Sequence, residues 1–384
     1  MSAATTMCLL RLLLLPLATS SPSTSGAGRD SQGRGPWGAG WGFAAAGGVP
    51  PQPAGMQSYL LNKSVVGYFV ANNTGLASAA ELAAEVKLGI VGIGWNLNHL
   101  ATSESGGLEQ YEAEQAAALK AARPDVRVMV LRDTEVVSTF WTAFRDAMND
   151  TDIWLQSPPG SGKPINEPWG TDDPASGGFT PKYFLNFSNP KTQTWWLDKY
   201  IGPALDQPHV DGVYTDCSCG TARGETVTQA ELAGRQKAFD AALALAKSKG
   251  KWMSAATGPA VVRAPSVAGD HCADTMKALM KLGADPTKGM QLQGSRPRTA
   301  PHSFTKEDVA IFLLTRGPSA QLILPAYDHA MIGREFSVRG VDPNGDPGTP
   351  AGPATVRGSV FTRSYSRATV TLDCSTFNAT ITLT

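Results

Sequence analysis

Asp216 closes the apolar run Val210-Asp-Gly-Val-Tyr-Thr-Asp216, and a carboxylate delivered to the end of such a run is costly unless it is solvated or used. Used, it is a nucleophile or a general base; otherwise it is a structural acceptor for the loop that follows. General acid–base or nucleophilic chemistry at such a residue is commonly shared with a second carboxyl group, one donating a proton and the other attacking or activating water. Asp133, Glu135 and Asp270 are the candidates for the second, with Glu135 preferred as the residue expected to face Asp216 across a cleft, and Asp328 stands in a similar position later in the chain. The competing reading of each is an ordinary loop carboxylate or helix N-cap. Around them stand groups able to hold a polyhydroxylated ligand: the rings of Trp95, Trp154, Trp169 and Tyr214, and the amides of Asn96, Asn98, Asn186 and Gln293. The ordinary reading of the tryptophans is core packing.

Other chemistries find less support. Cys217-Ser-Cys219 and His271-Cys272 bring thiols and an imidazole into two loops, but structural zinc sites place at least two residues between thiols, so no metal is expected. A bridge from Cys217 or Cys219 to Cys272 is expected instead, with Cys374 free to take the remaining thiol. No phosphate-binding glycine loop, nucleophile-elbow serine or HExxH motif is present, and no cofactor is expected. Lys plus Arg and Asp plus Glu are 33 each, which gives no net field toward nucleic acid or an anionic membrane.

These residues need elements that hold them at one rim. From residue 64 the chain alternates short β-rich runs with amphipathic helical stretches, the pattern of a parallel sheet covered by helices. Eight strands are expected, at Val65–Val70, Ile90–Trp95, Val126–Leu131, Tyr183–Phe187, Val210–Thr215, Lys251–Ala255, Met290–Leu292 and Gln321–Leu324. Helix faces follow the i, i+3, i+4 rule in Leu108, Tyr111, Gln115, Leu119; in Val137, Phe140, Trp141, Phe144, Met148; and in Leu232, Gln236, Phe239, Leu243. Asn189-Pro190 and Thr305-Lys-Glu-Asp308 read as helix starts, and Asp152–Gln156 suggests a hairpin or lid. In such a barrel the reacting groups stand at the carboxyl ends of the strands. Gly212 is expected to keep the interior open below Asp216.

The segment Tyr183-Phe-Leu-Asn-Phe-Ser-Asn-Pro190, the helix with Trp195-Trp196, and Val210–Asp216 together resemble glycoside-hydrolase barrels of the α-galactosidase and endo-polygalactosaminidase kind. Trp154-Leu and Gly162-Lys-Pro resemble the hairpin that precedes this strand in those proteins. The resemblance covers residues 150 to 220 and implies a catalytic or substrate-binding role for Asp216. It departs from the pattern at Asn186, where an aspartate is common, and at Cys217-Ser-Cys219. The expected fold is α/β, a (β/α)8 TIM barrel over 57–332 with a small C-terminal β appendage over 333–384. Residues 1–20, with an apolar run from Met7 to Ala18, read as a signal peptide, and 21–56 as a disordered Gly/Pro-rich linker. Five Asn-x-Ser/Thr sequons, at Asn62, Asn72, Asn149, Asn186 and Asn378, agree with secretion as a glycoprotein, with no membrane partner after signal cleavage. The expected function is hydrolysis of glycosidic bonds in a polysaccharide or glycan, and the alternative is an inactive carbohydrate-binding barrel.

Overall fold

The computed structural model describes residues 52–54, 57–59, 63–70, 72, 74–95, 97–98, 101–102, 106–169, 180–215, 228–255, 261–263, 268–285, 289–293, 305–323 and 347–384. The segments expected to be signal peptide and Gly/Pro-rich linker lie outside them, apart from three residues at 52–54.

An eight-stranded sheet organises the molecule. Its strands are β1 (Val65–Val70), β2 (Ile90–Ile93), β3 (Arg127–Leu131), β7 (Gly212–Thr215), β8 (Trp252–Ala255), β9 (Val261–Arg263), β10 (Met290–Gln293) and β11 (Ala320–Ile323). They lie in the order β8-β7-β3-β2-β1-β11-β10-β9 and every pairing is parallel. The strands are largely apolar, as in a parallel sheet whose faces are both covered. Val66, Ile90, Val91, Val128, Val130, Val213 and Leu322 have no exposed surface.

The helices are α1 (Ala79–Glu85), α2 (Leu108–Ala122), α3 (Thr142–Ala147), α4 (Pro190–Trp195), α5 (Gly202–Asp206), α6 (Gln229–Ser248), α7 (Cys272–Ala284) and α8 (Lys306–Thr315). A π-helical turn, Trp196–Ile201, joins α4 to α5. Both expected helix starts are present: the Asn189 side chain accepts from the Lys191 amide with Pro190 at the first position, and Thr305 and Asp308 form a capping box.

Three expectations need correction. The fourth strand does not enter the main sheet: Thr180–Phe184 (β6) pairs antiparallel with β4 (Val136–Ser138) and β5 (Asn166–Trp169), and β3 pairs directly with β7. Residues 136–148 are a strand followed by a short helix, because Val136, Val137 and Ser138 satisfy their backbone on β6 before the helix begins at Thr142. On α6 the buried face contains Gly234, Arg235, Ala238, Phe239, Ala242 and Ala246. Leu232, Gln236 and Leu243 are only partly buried; the small residues win the inward face because Gly234 abuts the Phe187 carbonyl, where a Cβ would come to 1.9 Å.

After the parallel sheet, β12 (Thr355–Arg357), β13 (Val360–Tyr365), β14 (Ala368–Asp373) and β15 (Asn378–Leu383) form an antiparallel meander. It packs on α8, a helix buried all round from Asp308 to Thr315. Arg363 donates to the Leu313 and Arg316 carbonyls at 3.0 and 2.7 Å, and the Tyr365 hydroxyl to Leu313 at 2.5 Å, so a cation and a hydroxyl satisfy the helix's last carbonyls. Cys272 on α7 is joined to Cys374, just past β14. That corrects the expected bridge from Cys272 to Cys217 or Cys219, which both lie outside the described residues.

Candidate functional site

Inside the parallel sheet the side chains are not all aliphatic. Tyr68 from β1 donates to Ser254 Oγ of β8 at 2.9 Å. Gln291 of β10 donates to the same Ser254 oxygen at 2.6 Å, to Tyr68 Oη at 3.2 Å and to Gln321 Oε1 of β11 at 2.7 Å. Residues of four strands thus meet in one buried polar cluster, and the Ser254–Gln291 bond joins β8, at one end of the strand order, to β10, next to the other end. The Tyr68 ring stacks on Tyr214 of β7 with centroids 4.5 Å apart. Gly92 of β2 makes room for the pair, since a Cβ there would meet the Tyr68 ring at 2.5 Å and the Tyr214 ring at 2.9 Å. Burial pushes the Tyr68 phenol far above its ordinary value, so it is a neutral donor at any working pH.

The Tyr214 hydroxyl donates to the Ile93 carbonyl at 3.0 Å. It is fully buried, so among the described contacts it fastens β7 to β2. Gly212 also differs from expectation: a Cβ there would come to 2.3 Å from the Trp252 carbonyl. It allows β7 and β8 to approach closely, and does not hold the interior open.

Asp216, Asn96 and Asp328 lie outside the described residues, as does the Gln293 side chain at the end of β10. Asp216 is the residue immediately after β7. Asp133 lies two residues beyond the end of β3, half-buried; its amide donates to Tyr200 Oη at 3.3 Å and its carbonyl accepts from Trp196 Nε1 at 2.9 Å. Glu135 is 1% exposed and sits 3.4 Å from the Arg235 guanidinium of α6, itself 4% exposed. Asp270 is exposed in the turn that leads into α7.

Trp95 is half-buried at the end of β2 and stacked on Phe140 at 5.6 Å. Asn98 holds a left-handed backbone, φ 48°, and its amide donates to the Asn72 carbonyl at 2.8 Å. Asn186 takes part in the turn that starts α4, accepting from Ser188 Oγ at 2.5 Å. The Leu185 amide beside it donates to the Glu135 carbonyl at 2.9 Å, which brings the Asn186 and Glu135 segments together. Trp154 has no exposed face: it packs against Phe144, Tyr183 and Trp195, and its indole donates to the Ala147 carbonyl at 3.1 Å. The reading of Trp154 as a sugar platform is therefore set aside. Trp169 ends β5, with its side chain outside the described part.

Sequence reasoning passed over Tyr68, Ser254, Gln291 and Gln321. Their signal was legible in principle: a glutamine in the second place of an apolar parallel strand, as in Met290-Gln-Leu and Ala320-Gln-Leu, must bury an amide and so needs polar neighbours. Among the described residues no group of three His, Cys, Asp or Glu side chains is placed to hold a metal ion, and no helix is long and apolar enough to cross a membrane.

No protein-family model matches the chain, and no curated protein matches it. Among solved structures it is similar to sucrose 6F-phosphate phosphorylase from Thermoanaerobacter thermosaccharolyticum, at 10% identity over 86% of this chain and 97% of that one, TM-score 0.44. It is similar to a GH31 sulfoquinovosidase from E. rectale, at 11% identity over 79% of this chain and 47% of that one, TM-score 0.47. A GH31 dextranase from Flavobacterium johnsoniae gives 13% identity over 73% and 38%, TM-score 0.42. The chain spans less than half the length of the two GH31 enzymes.

Proposed function

We propose that this chain is a secreted, glycoside-hydrolase-like barrel that acts on a polysaccharide or glycan from the carboxyl rim of its parallel sheet. The observation that carries the reading is the direct pairing of β3 with β7. Leu131 and Tyr214 are register partners, and counting two residues onward from each reaches Asp133 and Asp216. Asp133 stands two residues past the end of β3, and Asp216, outside the described residues, follows β7 in the chain; the pair is assigned to the acid and the base or nucleophile of a two-carboxylate mechanism. Asp216 takes the part of nucleophile or base and Asp133 that of its partner. Glu135, paired with Arg235, is assigned to positioning the β6 end through its carbonyl; Asp270 is kept as a further acid. Trp95, Asn98 and Asn186, together with Asn96, Gln293 and Asp328, are proposed to contact the sugar.

Closure of the sheet into a barrel belongs to the same proposal. It is supported by the Ser254–Gln291 hydrogen bond between β8 and β10, with the small polar cluster as the floor. Secretion is supported by the leader-like residues 1–20 and by the Cys272–Cys374 disulfide, since such bonds persist in oxidising compartments.

Turnover of a glycan panel by the wild type, with Asp216→Asn and Asp133→Asn each lowering kcat by about a hundredfold or more, is the expected result. Equal turnover by wild type and Asp216→Asn removes that residue from the chemistry. The second reading, a carbohydrate-binding barrel without catalysis, is favoured by the Arg235 charge that occupies Glu135. Binding to a glycan array with no hydrolysis by the wild type would decide for it.

A further inference from the structure

In an Asn-x-Ser/Thr triplet the asparagine Nδ2 is an acceptor for an oligosaccharide. A glycan is bulky and hydrated, so a folded chain accommodates it where that nitrogen reaches solvent and holds no bond that the sugar would disturb. The sequons separate on this test. Asn186 fails it: half-buried between Leu185 and Phe187, each 1% exposed, it accepts from Ser188 Oγ, the hydroxyl of its own triplet. Its backbone is fixed as well, the amide donating to the Ile153 carbonyl and the carbonyl accepting from the Asn189 amide, both at 2.9 Å. Asn72 fails for a different reason. Its Nδ2 donates to Glu81 Oε2 at 2.9 Å, and its Oδ1 accepts from the amide and the hydroxyl of Thr74, the third residue of its triplet. Glu81 is the acid of the α1 capping box, so a sugar on Asn72 would compete with a helix start.

Asn149 and Asn378 pass. Asn149 is exposed in the turn that follows α3, and its side chain makes no hydrogen bond among the described residues. Thr151, which completes its triplet, accepts from Gln156 through its carbonyl at 2.7 Å and leaves its hydroxyl uncommitted. Asn378 is exposed at the first residue of β15, on the same face as the exposed Thr380 and opposite the buried Ala379. Its Oδ1 accepts from Lys306 Nζ at 3.3 Å, which leaves Nδ2 without a partner among the described residues. Asn62 lies outside the described residues.

We infer that Asn149 and Asn378 carry N-linked glycans and that Asn72 and Asn186 do not. The inference rests on the secretion reading, since the donor, an oligosaccharide on a lipid pyrophosphate, and its transferase belong to the secretory pathway. Nδ2 forms a bond to C1 of the first sugar as the C1–O bond to pyrophosphate breaks; the lipid pyrophosphate leaves with the electron pair, and the amide gives up a proton. A bare Asn186 also keeps clear a residue proposed to contact the substrate.

The full chain, expressed in a eukaryotic secretory cell line, tests the assignment in two forms, one with residues 1–20 as its leader and one with the leader of another secreted protein ahead of Met1. Peptide N-glycosidase in heavy-oxygen water turns each occupied asparagine into a mass-tagged aspartate, read by peptide mass spectrometry. Tags at Asn149 and Asn378, with none at Asn72 or Asn186, are expected. Thr151→Ala is expected to abolish the tag at Asn149 and to leave the one at Asn378. A bare Asn149 or Asn378 in the form with the borrowed leader, a tag on Asn72 or Asn186, or a tag on Asn149 that survives Thr151→Ala each overturn the assignment. Failure of the first form alone to enter the medium counts against residues 1–20 as a leader, while the second form still decides the acceptor sites.

Discussion

A carboxylate taken out of water needs a partner or a proton, and Glu135 and Glu85 take different routes. Glu135 faces Arg235. Removing the cation by Arg235→Met leaves a buried charge uncompensated and is expected to cost about 3 to 5 kcal/mol in a urea titration; a loss below about 1 kcal/mol would show that the pair has little hold on the fold. Glu85 on α1 has only the Gln115 amide, at 3.0 Å. Burial, helped by the charge of Glu81, pushes its carboxyl up to about 7. The folded state therefore favours the protonated form. Stability present below the ordinary value of 4.5 is lost as pH rises toward about 7, and is flat above it. Glu85→Gln is expected to flatten that slope and to stabilise the protein at pH 8 by about 2 to 3 kcal/mol. An unchanged slope between wild type and variant counts against it. Neither route was visible in the sequence, where both residues are single glutamates on helix-to-strand traffic; what separates them is whether α6 brings an arginine.

At the scale of elements, two contacts hold strands where the proposed chemistry needs them. Gly212 lets β7 lie against the β8 backbone, so Gly212→Ala must push β7 away. The expected cost is about 2 kcal/mol or more, together with loss of any activity that depends on Asp216, one residue beyond that strand. A variant with wild-type melting temperature would show that the strands can separate freely. The disulfide joins α7 to the end of β14 across 102 residues. A link that closes so long a loop restrains the unfolded chain, and Cys374→Ser is expected to lower stability by about 4 kcal/mol, measured as a fall in Tm. The helix starts at Asn189 and Thr305 were legible because capping depends on a few consecutive residues. The disulfide partner was not, because pairing depends on which loops meet.

At the scale of the whole molecule, the described residues form a parallel sheet, a three-stranded antiparallel sheet and an antiparallel meander that packs on α8. Since α8 is buried on every side, a chain ended at residue 353 loses Arg363, Tyr365 and the Cys374 bridge together and uncovers that helix. Such a truncation is expected to be insoluble or to bind a hydrophobic dye, and a soluble, cooperatively melting product would argue that the meander is dispensable. Much of this plan could be read from the chain itself. Seven of the eight expected strands occur in the main sheet within a few residues of their expected bounds, because an apolar run buried on both faces carries its own signature. Asp216 was marked as the end of such a run by local order alone. Tertiary structure decided the rest. The fourth expected strand, Tyr183–Phe187, is as strand-like as its neighbours, yet β6 found β4 and β5, and β3 closed on β7 in its place. That choice rests on which backbone edges were available to pair, a competition between segments far apart in sequence. It is also what made neighbours of β3 and β7, the strands that precede Asp133 and Asp216 in the chain, a relation that no reading of either segment by itself could supply.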